Sequence, residues 1–339
     1  MISVVSSLFI LAILVVIPII GVEVFEWQST FAIYIPYAAG GIFLLGMLYR
    51  MFRWAKSYVP FRVPTTCGQQ KSLPWIKHDQ LENPSGTIAV MGRMFLEIFL
   101  FRSLFRNQRF ELEEGRKRLR FDGTRLLWLA GMVFHWSLLI IIIRHSRLFM
   151  EWDPGLNVVD VIRDFDALPQ VVFSVLYITN VLIIAAVTFL FFRRVVQPQM
   201  RYISLLSDYF ALLLIASVAV SGIIMRWFFN DDAFLVNVKV LAMSVLRFDP
   251  VTLAPGDLGL AFYVHITLFC ALLIYFPFSK MVHLGGVFLS PTRNQANTNR
   301  AKRHVNPWDY QVKMHPYEEY EDEFRAHMKE SGLPLDKES

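Results

Sequence analysis

Cysteine is scarce: Cys67 and Cys270 are the only two in 339 residues. No CxxC pair or metal-type cluster exists, so the chain holds no iron–sulfur cluster or zinc site of its own. Cys270 lies in an apolar stretch and reads as a small buried hydrophobe; Cys67 lies in a polar loop without a partner. A nucleotide-binding loop, a nucleophile constellation and a distinct pair of carboxylates are also missing, which removes the usual soluble catalytic centres. There is no internal repeat and no low-complexity tract. The net charge of +5 does not point to nucleic acid, because basic loops are ordinary in membrane proteins with large cytoplasmic segments.

What the chain has is hydrophobicity, 55% of its residues, gathered in long runs. A run of about 18 or more apolar residues crosses the ~30 Å hydrocarbon core, since a helix rises ~1.5 Å per residue. Helices are the expected spanning form, because each satisfies its own backbone hydrogen bonds. Six spans are expected, at roughly Ile2–Val24, Phe31–Trp54, Thr124–Met150, Val171–Phe192, Tyr202–Trp227 and Leu260–His283. The first lacks the basic start and small-residue cleavage site of a signal peptide and reads as a retained anchor. The fold class is therefore an all-α integral membrane protein: a six-helix transmembrane bundle with a cytoplasmic loop and a C-terminal tail.

Charge orients the bundle. Arg50, Arg53, Lys56, Arg62, Lys71 and Lys77 follow the second span, with Arg116, Lys117, Arg118 and Arg120 later in that loop, and Arg193, Arg194 and Arg201 separate spans four and five. Glu23, Glu26, Glu151, Asp153, Asp160, Asp164, Asp166, Asp231, Asp232 and Asp257 collect on the other side. Lys and Arg accumulate inside, so both termini are expected in the cytoplasm, which suits an even number of spans. The expected regions are 1–54, two N-terminal membrane helices; 55–123, a cytoplasmic loop; 124–285, a four-helix domain; and 286–339, a cytoplasmic tail with an acidic patch from Glu318 to Glu323. Within the loop, Ile88–Phe105 is apolar but carries Arg93, Glu97 and Arg102. Charges in hydrocarbon are costly, which favours an amphipathic helix on the membrane surface with its basic residues towards the headgroups. The other reading is a seventh span.

Eight histidines are present. His78, His304, His315 and His327 lie in polar segments. The other four lie in or at the ends of two spans: His135 and His145 in FHWSLLIIIIRH, and His265 and His283 in HITLFCALLIYFPFSKMVH. A lone membrane histidine is more often a hydrogen-bonded core residue than a ligand. Two pairs on two spans are a different matter. Span three runs outward and span six inward, so His145 meets His265 near the outside and His135 meets His283 near the inside. Each pair then offers two imidazoles to one haem iron, in the way helical bundles build cofactor sites between facing helices. Ten residues separate the first two histidines and eighteen the second two, or ~15 Å and ~27 Å along straight helices. A kink at Pro277, a bend before Gly285 and Gly286, or tilted haem planes would absorb the mismatch.

The spacing of ten, followed by eighteen with PFSK ahead of the last histidine, resembles the haem-b gamma subunit of respiratory nitrate reductases over roughly residues 124–286. That resemblance implies two haem b, with His145 and His265 on the outer iron and His135 and His283 on the inner, and a quinone site near the outer haem. The two extra N-terminal spans and the loop PTTCGQQKSLPWIKHDQLENP (Pro64–Pro84) look like the DsrM family, the membrane cytochromes b of dissimilatory sulfite reductase-linked complexes. This second resemblance implies menaquinone as exchangeable substrate and a cytoplasmic iron–sulfur subunit related to heterodisulfide reductase. It also implies further subunits: a second membrane subunit, a periplasmic multihaem cytochrome c and a periplasmic iron–sulfur protein. The chain would act as the electron-transfer part of a quinone-linked oxidoreductase, in a direction that the residues do not give.

Arg144 and Arg147 flank His145, and Arg226 ends span five on the same side. They are candidate partners for haem propionates or quinone; the alternative is that they snorkel to the interface. Asp208 is either a proton group or a headgroup contact, and Lys71–Asp79 and the tail are candidate docking segments. A close rival is the cytochrome b subunit of a heterodisulfide reductase or nitrate reductase-type complex; from another class the rival is a haem-free transporter or scaffold, against which the chain shows no short Gly/Pro-interrupted spans in matching halves.

Overall fold

The computed structural model describes residues 2–57, 68–113, 118–149, 158–167, 176–228, 232–252, 256–301 and 313–337. Cys67, Arg62, Arg116, Lys117, Glu151, Asp153, Asp231 and His304 lie outside them. Two helices open the chain, α1 (Ile2–Glu23) and α2 (Ile35–Lys56), the latter entered through a π-helical turn at Thr30–Tyr34. The following loop contains α3 (Thr87–Phe99), α4 (Arg102–Arg106) and an antiparallel hairpin of β1 (Gln108–Glu113) and β2 (Arg118–Gly123). Then come α5 (Arg125–His145), α6 (Val158–Asp166), α7 (Ile178–Val196), α8 (Pro198–Ile203), α9 (Leu206–Phe228), α10 (Asp232–Leu246), α11 (Leu260–Tyr275), α12 (His283–Leu289) and α13 (Tyr317–Glu330).

Among the described residues six helical stretches are long and apolar enough to cross a membrane: Ile2–Glu23, Thr30–Lys56, Arg125–Leu148, Ile178–Val196, Leu206–Phe228 and Leu260–Phe278. The protein is a multi-pass helical membrane bundle. Its outer faces carry large exposed apolar side chains, among them Phe9, Leu45, Val181 and Ile224, which only lipid would cover. The packing runs from α5 to α7, α7 to α9 and α9 to α11, with α1 on α9 and α11, and α2 on α11. Ile183, Val187 and Ile215 form one core cluster, against which Phe134 and Leu138 of α5, Leu272 and Met281 pack.

Residues 171–175 of the expected fourth span lie outside the described residues, and α7 begins at Ile178. Asp166, at the end of α6, accepts hydrogen bonds from the Thr179 amide (2.8 Å) and the Thr179 hydroxyl (2.7 Å). A carboxylate from another helix thus caps α7, satisfying one of the amide donors left over at its N-terminus. Span six breaks where Pro277 removes a backbone donor. The chain passes from α11 through 3₁₀ turns at Phe276–Phe278 and Lys280–Val282 into α12, which starts at His283. Three contacts hold the break. Arg50 Nε donates to the Pro277 carbonyl at 2.9 Å, Lys280 Nζ reaches Asp208 Oδ1 at 2.8 Å, and Gly46 of α2 lies where a Cβ would come 2.7 Å from Pro277 Cβ. Asp208 therefore anchors the PFSK turn and does not reach out to headgroups.

The inter-span loop departs from expectation in two places. It contains the hairpin, whose register sets Phe110 opposite Phe121, Leu112 opposite Leu119 and Glu113 opposite Arg118. The strand signal is this short alternation, which a reading tuned to helical runs passes over. The helix α3 is 13 residues long, too short for a seventh span. Its exposed stripe is apolar, with Ile88, Met91 and Phe95 outward, whereas Arg93 is only 2% exposed. Arg93 thus points into the protein and not, as expected, to headgroups. In the tail, Glu321 is likewise turned inward out of the acidic patch: it accepts from the Asp336 amide (2.9 Å) and the Lys337 amide (3.1 Å), folding the last described residues back onto α13.

Candidate functional site

The four membrane histidines share one local arrangement. His135 Nδ1 lies 2.8 Å from the Gly131 carbonyl, His145 Nδ1 2.7 Å from the Ile141 carbonyl and His283 Nδ1 2.9 Å from the Lys280 carbonyl. A carbonyl oxygen only accepts, so each of these Nδ1 atoms carries the proton. His265 Nδ1 lies 2.9 Å from Ser221 Oγ, which itself sits 2.9 Å from the Val218 carbonyl. The serine proton goes to that carbonyl, so His265 Nδ1 is also the donor. In all four rings the lone pair is left on Nε2, and Nδ1–H is held by a second group, as in metal-ligating histidines.

The rings come together in pairs. The centroids of His135 and His283 are 6.0 Å apart with planes at 80°. Two metal–imidazole bonds of about 2.0–2.1 Å plus the ring radii give a separation of about 6 Å. Of the other expected pair, His145 and His265, the His265 ring lies against α9: a Cβ on Gly222 would come 3.1 Å from His265 Cε1, a space that glycine leaves open. The imidazoles of His145 and His283 are exposed although they belong to the bundle. Among the described residues no group of three or more His, Cys, Asp or Glu gathers to hold a bare metal ion. Pairs of neutral imidazoles suit an iron whose other ligands come with it, as in a porphyrin.

The three arginines differ. Arg144, buried, donates from Nη1 to Asp166 Oδ2 (2.7 Å) and from Nη2 to Asn180 Oδ1 (3.3 Å), and its guanidinium lies 3.7 Å over the Tyr177 ring. Its charge is spent on α6 and α7. Arg226 stacks on the same Tyr177 ring at 4.1 Å, and its buried Nε has no hydrogen-bond partner. Arg147 has no carboxylate within ion-pairing distance among the described residues. Arg226 and Arg147 are thus the two left for an anionic or carbonyl group near His145. Tyr177, Ser221 and Phe101 went unnoticed in the sequence. Phe101 adopts φ +48° and brings its ring edge-on to His135 at 4.9 Å. None of the three carries a local signal, since each matters through a residue distant in the chain.

A model of the nitrate reductase gamma subunit family matches residues 90–296, from α3 through the turn after α12. The chain is also similar to two archaeal proteins described as Hdr-like menaquinol oxidoreductase cytochrome b-like subunits. That of Archaeoglobus fulgidus is 43% identical over 282 residues, covering 82% of this chain and 83% of the relative. That of Archaeoglobus profundus is 40% identical over 280 residues, covering 81% of each. These matches extend over most of the chain, whereas the family match begins beyond α1 and α2.

Proposed function

The chain belongs to the nitrate reductase gamma subunit family, and from that premise we propose that it is a dihaem membrane cytochrome b carrying electrons between menaquinol and a cytoplasmic iron–sulfur subunit of the heterodisulfide reductase type. The observation that carries this is the set of four Nδ1 hydrogen bonds, which leaves Nε2 free on each ring, with His135 and His283 6.0 Å apart. His135 and His283 would hold the inner b haem and His145 and His265 the outer. When bound, the haems supply one-electron carriers at two depths.

The rest is done by protein groups. The Nδ1 anchors set tautomer and ring orientation. Arg226 and Arg147 bind the carboxylates or the quinol oxygen beside His145, and Arg144 with Asp166 keeps α5, α6 and α7 in register around that position. Both termini face the cytoplasm, where the loop segment Lys71–Asp79 and the tail meet the partner. Names of the archaeal relatives support menaquinol and a multisubunit complex. The loop Pro64–Pro84, which resembles the DsrM family, supports a role in dissimilatory sulfur metabolism, with a second membrane subunit, a multihaem cytochrome c and a periplasmic iron–sulfur protein as companions.

The test is the dithionite-reduced minus oxidised spectrum of the purified protein with pyridine haemochrome quantification. Two b haems per chain are expected, with one lost in His135→Ala and the other in His145→Ala. A folded, haem-supplied preparation without a b-type signal would sink the reading, and a single haem would mean that one pair is wrong.

A further inference from the structure

Arg93 is the most anomalous charge in the described structure. It is 2% exposed, yet its Nε and Nη2 have no hydrogen-bond partner. A buried cation without a partner is costly enough that such groups are almost always paired. The nearest acids are engaged elsewhere. Glu82 pairs with Arg102 and Arg106, and Glu97 accepts from the Ser103 hydroxyl and, at 3.2 Å, the Ser103 amide. Arg102 and Arg293 are the further cations that act on Arg93. Among the described residues the locality therefore has a surplus of positive charge, and nothing receives the N–H groups of Arg93 Nε and Nη2.

Its place in the fold says which anion fits. The end of α3 is fastened to α5 beside His135: Trp136 Nε1 donates to the Phe99 carbonyl (3.1 Å), Trp128 Nε1 to the Leu100 carbonyl (2.8 Å), and Phe101 lies against His135. Gly131, whose carbonyl holds His135, faces Phe101 and Leu104. Arg293 comes from the turn that follows α12, the helix that starts at His283. The segments around Arg93 are thus fastened to one ligand-bearing element, α5, and continuous with the other, α12. A porphyrin between His135 and His283 brings two carboxylates on its own edge, and carboxylate is the group a guanidinium fork receives best.

We propose that Arg93 binds a carboxylate of the haem held by His135 and His283, making α3 the cationic anchor of that haem's carboxylate edge. This rests on the dihaem reading and adds to it a residue from outside the spans. Arg93 is a positioning and tuning residue, not an iron ligand. A cation at the haem edge favours the reduced, less positive iron, so its loss lowers the midpoint potential of this haem and not of the other.

The full-length protein in lipid nanodiscs, titrated potentiometrically by visible and EPR spectroscopy, gives the test. In Arg93→Gln the reduction equilibrium of the His135/His283 haem is expected to fall on the order of tenfold, about 59 mV for one electron. The other haem stays put, and Arg93→Lys keeps most of the wild-type value. Two haems with unchanged potentials in Arg93→Gln would overturn the proposal while leaving the dihaem reading intact. A shift seen only with anionic lipid in the disc would assign Arg93 to a headgroup and overturn it too. If Arg93→Gln does not fold, the haem-free wild-type chain is loaded with haem dimethyl ester, whose carboxylates are masked. Uptake at the His135/His283 site at least tenfold weaker than for haem supports the contact, and equal uptake overturns it. Wild-type protein that takes up no haem at all would instead defeat the function proposed above.

Discussion

Of the four groups that hold the histidine Nδ1 atoms, three are backbone carbonyls that no substitution removes. The fourth is Ser221 Oγ, 2.9 Å from His265 Nδ1, and Ser221→Ala deletes it. The ring cannot turn far to find a replacement, because α9 lies against it at Gly222. The hydrogen bond itself is worth about 0.5–1.5 kcal/mol. Its loss also leaves the tautomer held by the Val218 carbonyl alone, which faces the same ring, and removal of such outer partners commonly costs 10–100-fold in metal affinity, or ~1.4–2.8 kcal/mol. Less basic without its acceptor, His265 stabilises ferric iron less, so the potential of its haem rises. The assay is haem occupancy under limiting haem supply together with a potentiometric titration. Ser221→Ala should weaken one haem by about tenfold or more and raise its potential, Ser221→Thr should restore both, and the His135/His283 haem should not move. Unchanged affinity and potential, or a change in the wrong haem, would refute the claim that His265 is a ligand held through Nδ1.

Two further outcomes follow from charges outside the haem ligands. Asp166→Asn leaves Arg144 buried without its counter-ion and weakens the cap on Thr179, which should cost about 3–5 kcal/mol; chemical unfolding in mixed micelles measures it, the added change Arg144→Met should recover part of the loss, and an Asp166→Asn protein as stable as wild type would show the pair to be idle. Asp79 accepts from the Glu82 amide (3.0 Å) and the Leu81 amide (3.1 Å), and the Glu82 bond foremost holds its carboxyl below the ordinary 3.8. A depressed carboxyl stabilises the folded loop above its unfolded pKa, and that contribution is lost as pH falls through the lower folded value. Amide exchange at Leu81 and Glu82, corrected for intrinsic rates, should therefore be flat from neutral pH down to about 4 and rise several-fold only below that, whereas Asp79→Asn should show the faster exchange at every pH; an acid-induced rise that sets in near neutrality would contradict this.

The number of spans, the place of the break at Pro277 and the approach of His135 to His283 were legible in the residues. Transfer of an apolar side chain into lipid and the lost donor of proline are local quantities, so they can be added up along the chain without knowing what lies opposite. Histidine is expensive enough in a span that its spacing carries information. The tertiary structure alone decided which partner each charge took. Arg144 and Arg226 look alike beside the same apolar stretches, yet one is neutralised by Asp166 and the other keeps an unpartnered Nε. Arg93 has the sequence surroundings of a headgroup contact and is buried, and α7 starts at Ile178 because an aspartate from another helix caps it. These depend on groups that converge from distant parts of the chain, and the energy of an ion pair or a hydrogen bond falls off too steeply with distance and angle to be read before that convergence is known.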